Sequence, residues 1–148
     1  MAIALFISRT DLVKNTIIDG NLDTDKFIQF LKISQEIHIQ NYLGSKLYNR
    51  ISADVIAGTL TGDYLALVND YIQPMLIHYA MMDYLPFAAF SVKNGGVFKG
   101  NSETAQTATK DEVDFLVQKE RSFAEYYTRR FVDFICFDSA KFPEYTNN

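Results

Sequence analysis

Residues 109–137, TKDEVDFLVQKERSFAEYYTRRFVDFICF, decide the fold. Val113, Leu116, Val117, Phe123, Tyr127, Phe131, Phe134 and Ile135 recur at intervals of three and four, the spacing that gathers side chains on one face of an α-helix. Thr109 and Glu112 make a capping box, in which each side chain satisfies the other's free backbone amide. The spacing predicts a helix running to about Phe137. Cys136, between Ile135 and Phe137 at the end of the apolar face, reads as a buried, inert thiol. The residues at 138–148 read as an extended tail whose adhesive side chains are Phe142, Pro143 and Tyr145.

The same kind of signal continues toward the N-terminus. Ser8-Arg9-Thr10-Asp11 is another capping box and predicts a short helix that ends before the turn cluster Asp19-Gly20-Asn21. A stronger helix starts at Asp23 or Thr24 and runs to about Leu43. Its apolar residues form two stripes, Phe27, Phe30, Leu31 and Ile37 on one side and Ile28, Ile39 and Tyr42 on another. One buried face needs only a single band. The second stripe therefore suits a central helix or one shared with another chain.

Gly44-Ser45 places a helix C-cap and an N-cap back to back. Gly44 is read as a structural joint in a left-handed cap, with Tyr42, Leu43, Leu47 and Tyr48 clamping the corner. A helix from about Lys46 to Ile56 follows, then a turn bracketed by Gly58 and Gly62. The next helix starts at Thr61 to Asp63, is broken or kinked at Pro74, resumes, and stops at Pro86. Asn94-Gly95 signals a two-residue hairpin with arms Phe90–Lys93 and Gly96–Lys99. The polar stretch at 94–108 as a whole reads as a mobile loop. The expected fold is all-α, one domain over 1–148: a bundle of four to five helices with a long loop or β-hairpin excursion between the last two.

Of the 148 residues, 48% are apolar and 22% charged, which is enough for a core without disulfide or metal staples. The 12 Phe and 9 Tyr stand out, because such rings suit surfaces that become buried on association. A net charge of −4 argues against a general grip on nucleic acid. Arg121, Arg129 and Arg130 alternate with Glu120 and Glu125, as on a solvated, compensated helix face. A lone cysteine excludes a disulfide framework and fits a reducing compartment. The apolar run in MAIALFISRTD is too short for a membrane span.

No catalytic, cofactor or metal constellation emerges. His38 and His78 stand 40 residues apart, without partners at ligand spacing. Asn94 to Gly100, NGGVFKG, lacks the Lys-Ser/Thr and the immediate helix that a phosphate loop requires. Carboxylates such as Asp11, Asp63, Glu103 and Asp111 sit mostly in first turns of helices, where they complement the macrodipole. A site assembled from His78, Asp83, Glu120 and Tyr126 is the enzymatic rival. The candidates that stand out are surfaces for partners: Tyr42, Tyr48, Asn94, Gly95, Phe98, Phe142 and Tyr145.

The order of these parts resembles the head-tail connector (adaptor, or head-completion) proteins of tailed bacteriophages, particularly forms from phages of Bacteroidetes-type hosts. The resemblance runs through YLGSKLYNRI at 42–51 and DYLALVNDYIQPMLIHYAMMDYLP at 63–86. It continues through SVKNGGVF at 91–98, ERSFAEYYTRRFVDFI at 120–135 and FPEY at 142–145. It implies a virion protein made in the host bacterial cytoplasm. Copies would form a homo-oligomeric ring, usually twelvefold, beneath the portal protein. The ring would extend the DNA channel without sequence-specific binding and give neck or tail proteins a platform. A small cytoplasmic helical regulatory or interaction module is the alternative.

Overall fold

The computed structural model describes residues 4–7, 24–88, 90–93, 96–99 and 110–146. The expected first helix, with its capping box at Ser8 to Asp11, lies outside them, as do Asn94, Gly95 and the rest of the loop at 100–108. What is described is an all-helical bundle.

Helix α1 spans residues 24–43 in three pieces: Thr24–Ser34, a wide π-turn over Gln35–Ile39, and Gln40–Leu43. In the π-turn the Gln40 amide donates to the Gln35 carbonyl, five residues back. The extra residue rotates everything after Ser34 by about one 100° step. This corrects the two-stripe expectation. Ile37 is turned out to solvent, while Ile39 and Leu43 join Phe27 and Leu31 in the core.

Gly44 joins α1 to α2, Ser45–Ala57. Its φ of 79° and ψ of 159° correct the left-handed cap expected there. The backbone is instead extended at positive φ, a region essentially reserved for glycine. The Gly44 amide still closes the first helix on the Gln40 carbonyl, and its own carbonyl accepts from the Tyr48 amide to open the second. One residue serves both ends.

Helix α3 spans residues 62–88: Gly62–Leu67, a second π-turn at Val68–Ile72, and Gln73–Ala88. Of the break or kink expected at Pro74, the break does not occur: the helix runs on through it. The π-turn just before it already widens the hydrogen-bond ladder, with the Gln73 amide donating to the Val68 carbonyl. Pro86 does not stop it either; it is accommodated in the last turn. Strands β1, Phe90–Lys93, and β2, Gly96–Lys99, pair antiparallel with Val92 opposite Val97.

Helix α4, Lys110–Phe137, is the 28-residue element of the opening stretch, about 42 Å long. It packs on α3 through Glu120, Ala124, Thr128, Phe131 and Ile135, spaced by four, four, three and four. Leu116 and Phe123, expected in the core stripe, are exposed. Small and polar residues line the middle of the seam because α3 fills that space with the His78 and Tyr79 rings. Cys136 is exposed, not buried. It lies on α4 away from the buried stripe.

The tail is not extended. A 3-10 turn, Ser139–Lys141, leads into the one-turn helix α5, Pro143–Thr146. Phe142 is wholly buried, edge-on to Tyr64 at 5.3 Å and to Phe134 at 6.0 Å. A large ring in an otherwise polar tail finds its cover in the bundle's own core, so the tail folds back.

Candidate interaction surface

Three polar clusters between helices carry the described residues closest to chemistry. In the first, the Ser34 hydroxyl donates to Asp83 Oδ2 at 2.8 Å, and His38 Nε2 lies 3.4 Å from the same oxygen. The His38 ring stacks on Tyr79 at 4.2 Å. Burial works to raise the Asp83 carboxyl, but the bonds from His38 and Ser34 outweigh it and hold it below the usual range. Serine, histidine and aspartate meet here, yet in the wrong order for nucleophilic catalysis. The aspartate sits between the other two, and Ser34 is wholly buried. A nucleophile needs its base in direct contact and a path for substrate.

In the second cluster, His78 Nδ1 lies 2.6 Å from Glu120 Oε2, and the ring stacks on Tyr127 at 5.4 Å. Glu120 therefore belongs to the α3–α4 seam, a correction to its place on a solvated face. Thr128 donates its only hydroxyl proton to the Ala124 carbonyl at 2.7 Å, so Tyr79 donates to Thr128 at 3.0 Å. Burial pushes the Tyr79 hydroxyl up to about 12. Of the enzymatic rivals, His78 and Glu120 thus meet, Asp83 serves a different pair, and Tyr126 stands half exposed on α4.

The third cluster is a clasp that sequence reading missed. Gln35 is wholly buried, donates to the Ala4 carbonyl at 2.6 Å and to the Tyr48 hydroxyl at 3.0 Å, and accepts from the Phe6 amide at 2.9 Å. Gln73 donates to the Phe6 carbonyl at 2.9 Å. Gln35 opens one π-turn and Gln73 follows the other, so both wide turns serve to aim an amide at residues 4–7. Phe6 packs on Tyr48 at 5.2 Å. An open depression of about 580 Å³ beside this segment is lined by Leu5, Ile7, Ile28, Val55 and Val68. Its one carboxylate, Asp54, is engaged by Arg50 and Thr59.

The expected partner residues separate on this scaffold. Tyr42 is exposed, whereas Tyr48 and Phe142 are core residues and Tyr145 is half-buried. Tyr48 and Phe142 are thereby corrected: both spend their rings inside the subunit. Tyr145 sits edge-on to Phe131 at 6.4 Å. Phe98 lies opposite Ser91 in the strand pair, and Asn94 and Gly95 fall outside the described residues. Arg50 fastens the tail, 2.9 Å from Glu144 and 4.5 Å over the Tyr64 ring. The Tyr64 hydroxyl donates to Glu144 at 2.6 Å. Burial and then that bond push the Tyr64 hydroxyl up to about 12.

The exposed large apolar side chains are elsewhere. Ile33, Ile37 and Tyr42 mark one face on α1, and Phe115, Leu116, Phe123, Tyr126 and Phe137 mark α4; Ile56 on α2 and Leu65 and Phe87 on α3 are exposed as well. The signal was present in the sequence as a surplus of rings, but which rings were surplus depended on the π-turn and on the small-residue seam. Among the described residues no group of three His, Cys, Asp or Glu is placed to hold a metal ion, and no single helix is long and apolar enough to cross a membrane.

Fold and surfaces together define a small helical bundle with internally satisfied polar clusters and unsatisfied apolar faces. The chain belongs to a family of unknown function, DUF6712, whose model matches residues 39–148. The match takes in the Gly44 joint, α2 to α4 and the folded tail. No curated protein and no solved structure matches the chain.

Proposed function

We propose that this chain is a structural virion protein, a head-tail connector of a tailed bacteriophage. Copies form a ring, twelvefold as is usual for such connectors, beneath the portal protein. The ring extends the DNA channel, passes DNA without reading its sequence, and offers neck or tail proteins a platform. The strand pair and the loop at 94–108 form an excursion between α3 and α4 that reaches the portal or a neighbouring copy. The observation that carries the reading is the presence of two separate exposed apolar faces, Ile33–Ile37–Tyr42 on α1 and the rings of α4. A head-to-tail ring closes only when each subunit offers two different patches. Apolar groups on this scale mark association surfaces on soluble proteins.

The test is co-expression with portal proteins of tailed phages, followed by affinity capture and negative-stain microscopy. A ring on the portal's tail-facing side is expected. Failure to co-assemble with any portal or neighbouring ring protein overturns the reading. A discrete one-to-one complex with a host protein would instead favour a cytoplasmic interaction module.

A further inference from the structure

The exposed apolar residues of α4 are not scattered. At about 100° per residue, Glu112, Phe115, Leu116, Lys119, Phe123, Tyr126 and Arg130 fall within one arc about 100° wide. Leaving aside Phe115, which adjoins Leu116, they follow one another at four, three, four, three and four residues, the repeat of a coiled-coil seam. All seven are exposed, and the arc lies to one side of the stripe by which α4 packs on α3. Phe115 is 61% exposed, Leu116 46%, Phe123 47% and Tyr126 52%.

The geometry points to an antiparallel pairing of α4 with α4 of a second copy, about a two-fold axis near Arg121. That register sets Glu112 against Arg130 of the partner subunit; within each copy the Arg130 guanidinium also lies over the Tyr71 and Tyr127 rings, at 5.3 and 5.9 Å. It sets Leu116 against Tyr126 of the partner subunit, and Lys119 against Phe123 of the partner subunit. Each contact occurs twice by symmetry. Lys119 already rides the Phe115 ring at 5.7 Å, so its ammonium is at home over an aromatic face. A parallel pairing would stack Glu112, Lys119 and Arg130 each on its own copy, which costs charge repulsion. Charge thus selects both the occupant and its direction.

The area fits the same occupant. Four large side chains, each about half exposed, offer roughly 400 Å² per copy, about half of what each partner gives to a standard interface. The stems of Lys119 and Arg130 add to this. The interface is small, and the pair is a weak one that forms in the micromolar range. This pairing does not rest on the connector reading. A two-fold pair would cover the α4 face in free subunits, and ring assembly would have to open it.

Sedimentation equilibrium of the full chain from about 1 to 300 µM tests it, with a monomer–dimer equilibrium of Kd about 1–100 µM expected. Leu116→Glu, at an exposed site, is expected to weaken the pair at least tenfold while leaving the far-UV circular dichroism unchanged. Should it disturb folding, Tyr126→Asp serves the same purpose. Direction is read by spin labels at Asp111→Cys and, separately, Ser122→Cys, both off the seam, in a Cys136→Ser background. Antiparallel pairing makes the 111–111 separation about 25 Å longer than the 122–122 separation. A chain that stays monomeric throughout overturns the pairing, as does a dimer indifferent to Leu116→Glu or two equal label separations. Portal docking is scored separately, so either reading can fail alone.

Discussion

The side-chain amide of Gln35 meets the backbone at Phe6 as a neighbouring β-strand would. It takes the Phe6 N–H at 2.9 Å and gives a proton to the carbonyl two residues earlier, at Ala4. The Ala4 carbonyl and the Phe6 amide are thereby satisfied by a side chain in place of a strand. The wide turn that begins at Gln35 makes this possible.

Replacing Gln35 by Leu removes all three of these bonds and leaves the Phe6 amide, the Ala4 carbonyl and the Tyr48 hydroxyl in a buried place. A loss of at least about 2 kcal/mol is expected, since each unsatisfied buried group costs about 1–3 kcal/mol. Urea unfolding measures the loss. Hydrogen exchange at the Phe6 amide should accelerate by more than tenfold in the same variant, and unchanged protection there would refute the clasp.

Gly44→Ala forces a Cβ into φ 79°, ψ 159°. The expected cost is about 1–3 kcal/mol, read from the urea midpoint. A variant as stable as the parent would show that the joint adopts another conformation.

Phe142→Ala should cost about 3–5 kcal/mol, because the ring is wholly buried at the tail's return into the core. Trimming residues 139–148 is accordingly a destabilising change. It is expected to lower the melting temperature even where no partner is present. A tail that could be removed with no thermal effect would contradict the packing on Tyr64 and Phe134.

Asp83 supplies a pH dependence. Its folded pKa lies below its ordinary 3.8, held there against burial by His38 and Ser34. Such a group contributes stability that is fully present above pH 3.8 and is lost as pH falls through the folded value. Glu144, lowered from 4.5 against burial by the bonds from Tyr64 and Arg50, acts in the same direction. Unfolding free energy should therefore fall as the pH drops below about 4.5, and Asp83→Asn should make that fall shallower. An identical pH profile in the variant would exclude the Asp83 contribution.

The longer helices were legible because local chemistry marks most of their ends. Gly44, Gly58 and Gly62 take positive φ where the chain turns, and the long periodic run ends at Phe137 as its spacing requires. Pro74 leaves the helix unbroken because a proline's effect depends on the ladder around it, and nothing local announces the π-turn at Val68–Ile72. Leu116 and Phe123 misled for a related reason. Hydrophobicity ranks residues by how much they gain from burial, but α3 already fills the middle of the seam with two rings, and the small Ala124 and Thr128 lie there.

Sequence by itself determined that this chain is helical, where the Gly44 joint and the start and end of the long helix to Phe137 fall, and that it is rich in rings, because capping, glycine conformation and 3.6-residue periodicity act over a few residues. The tertiary structure alone decided which rings are left over, that Phe142 turns inward, that Glu120 pairs with His78, and that Gln35 holds Phe6. Those outcomes depend on distances between segments far apart in the chain, and on two wide turns that each rotate a helix face by about one residue.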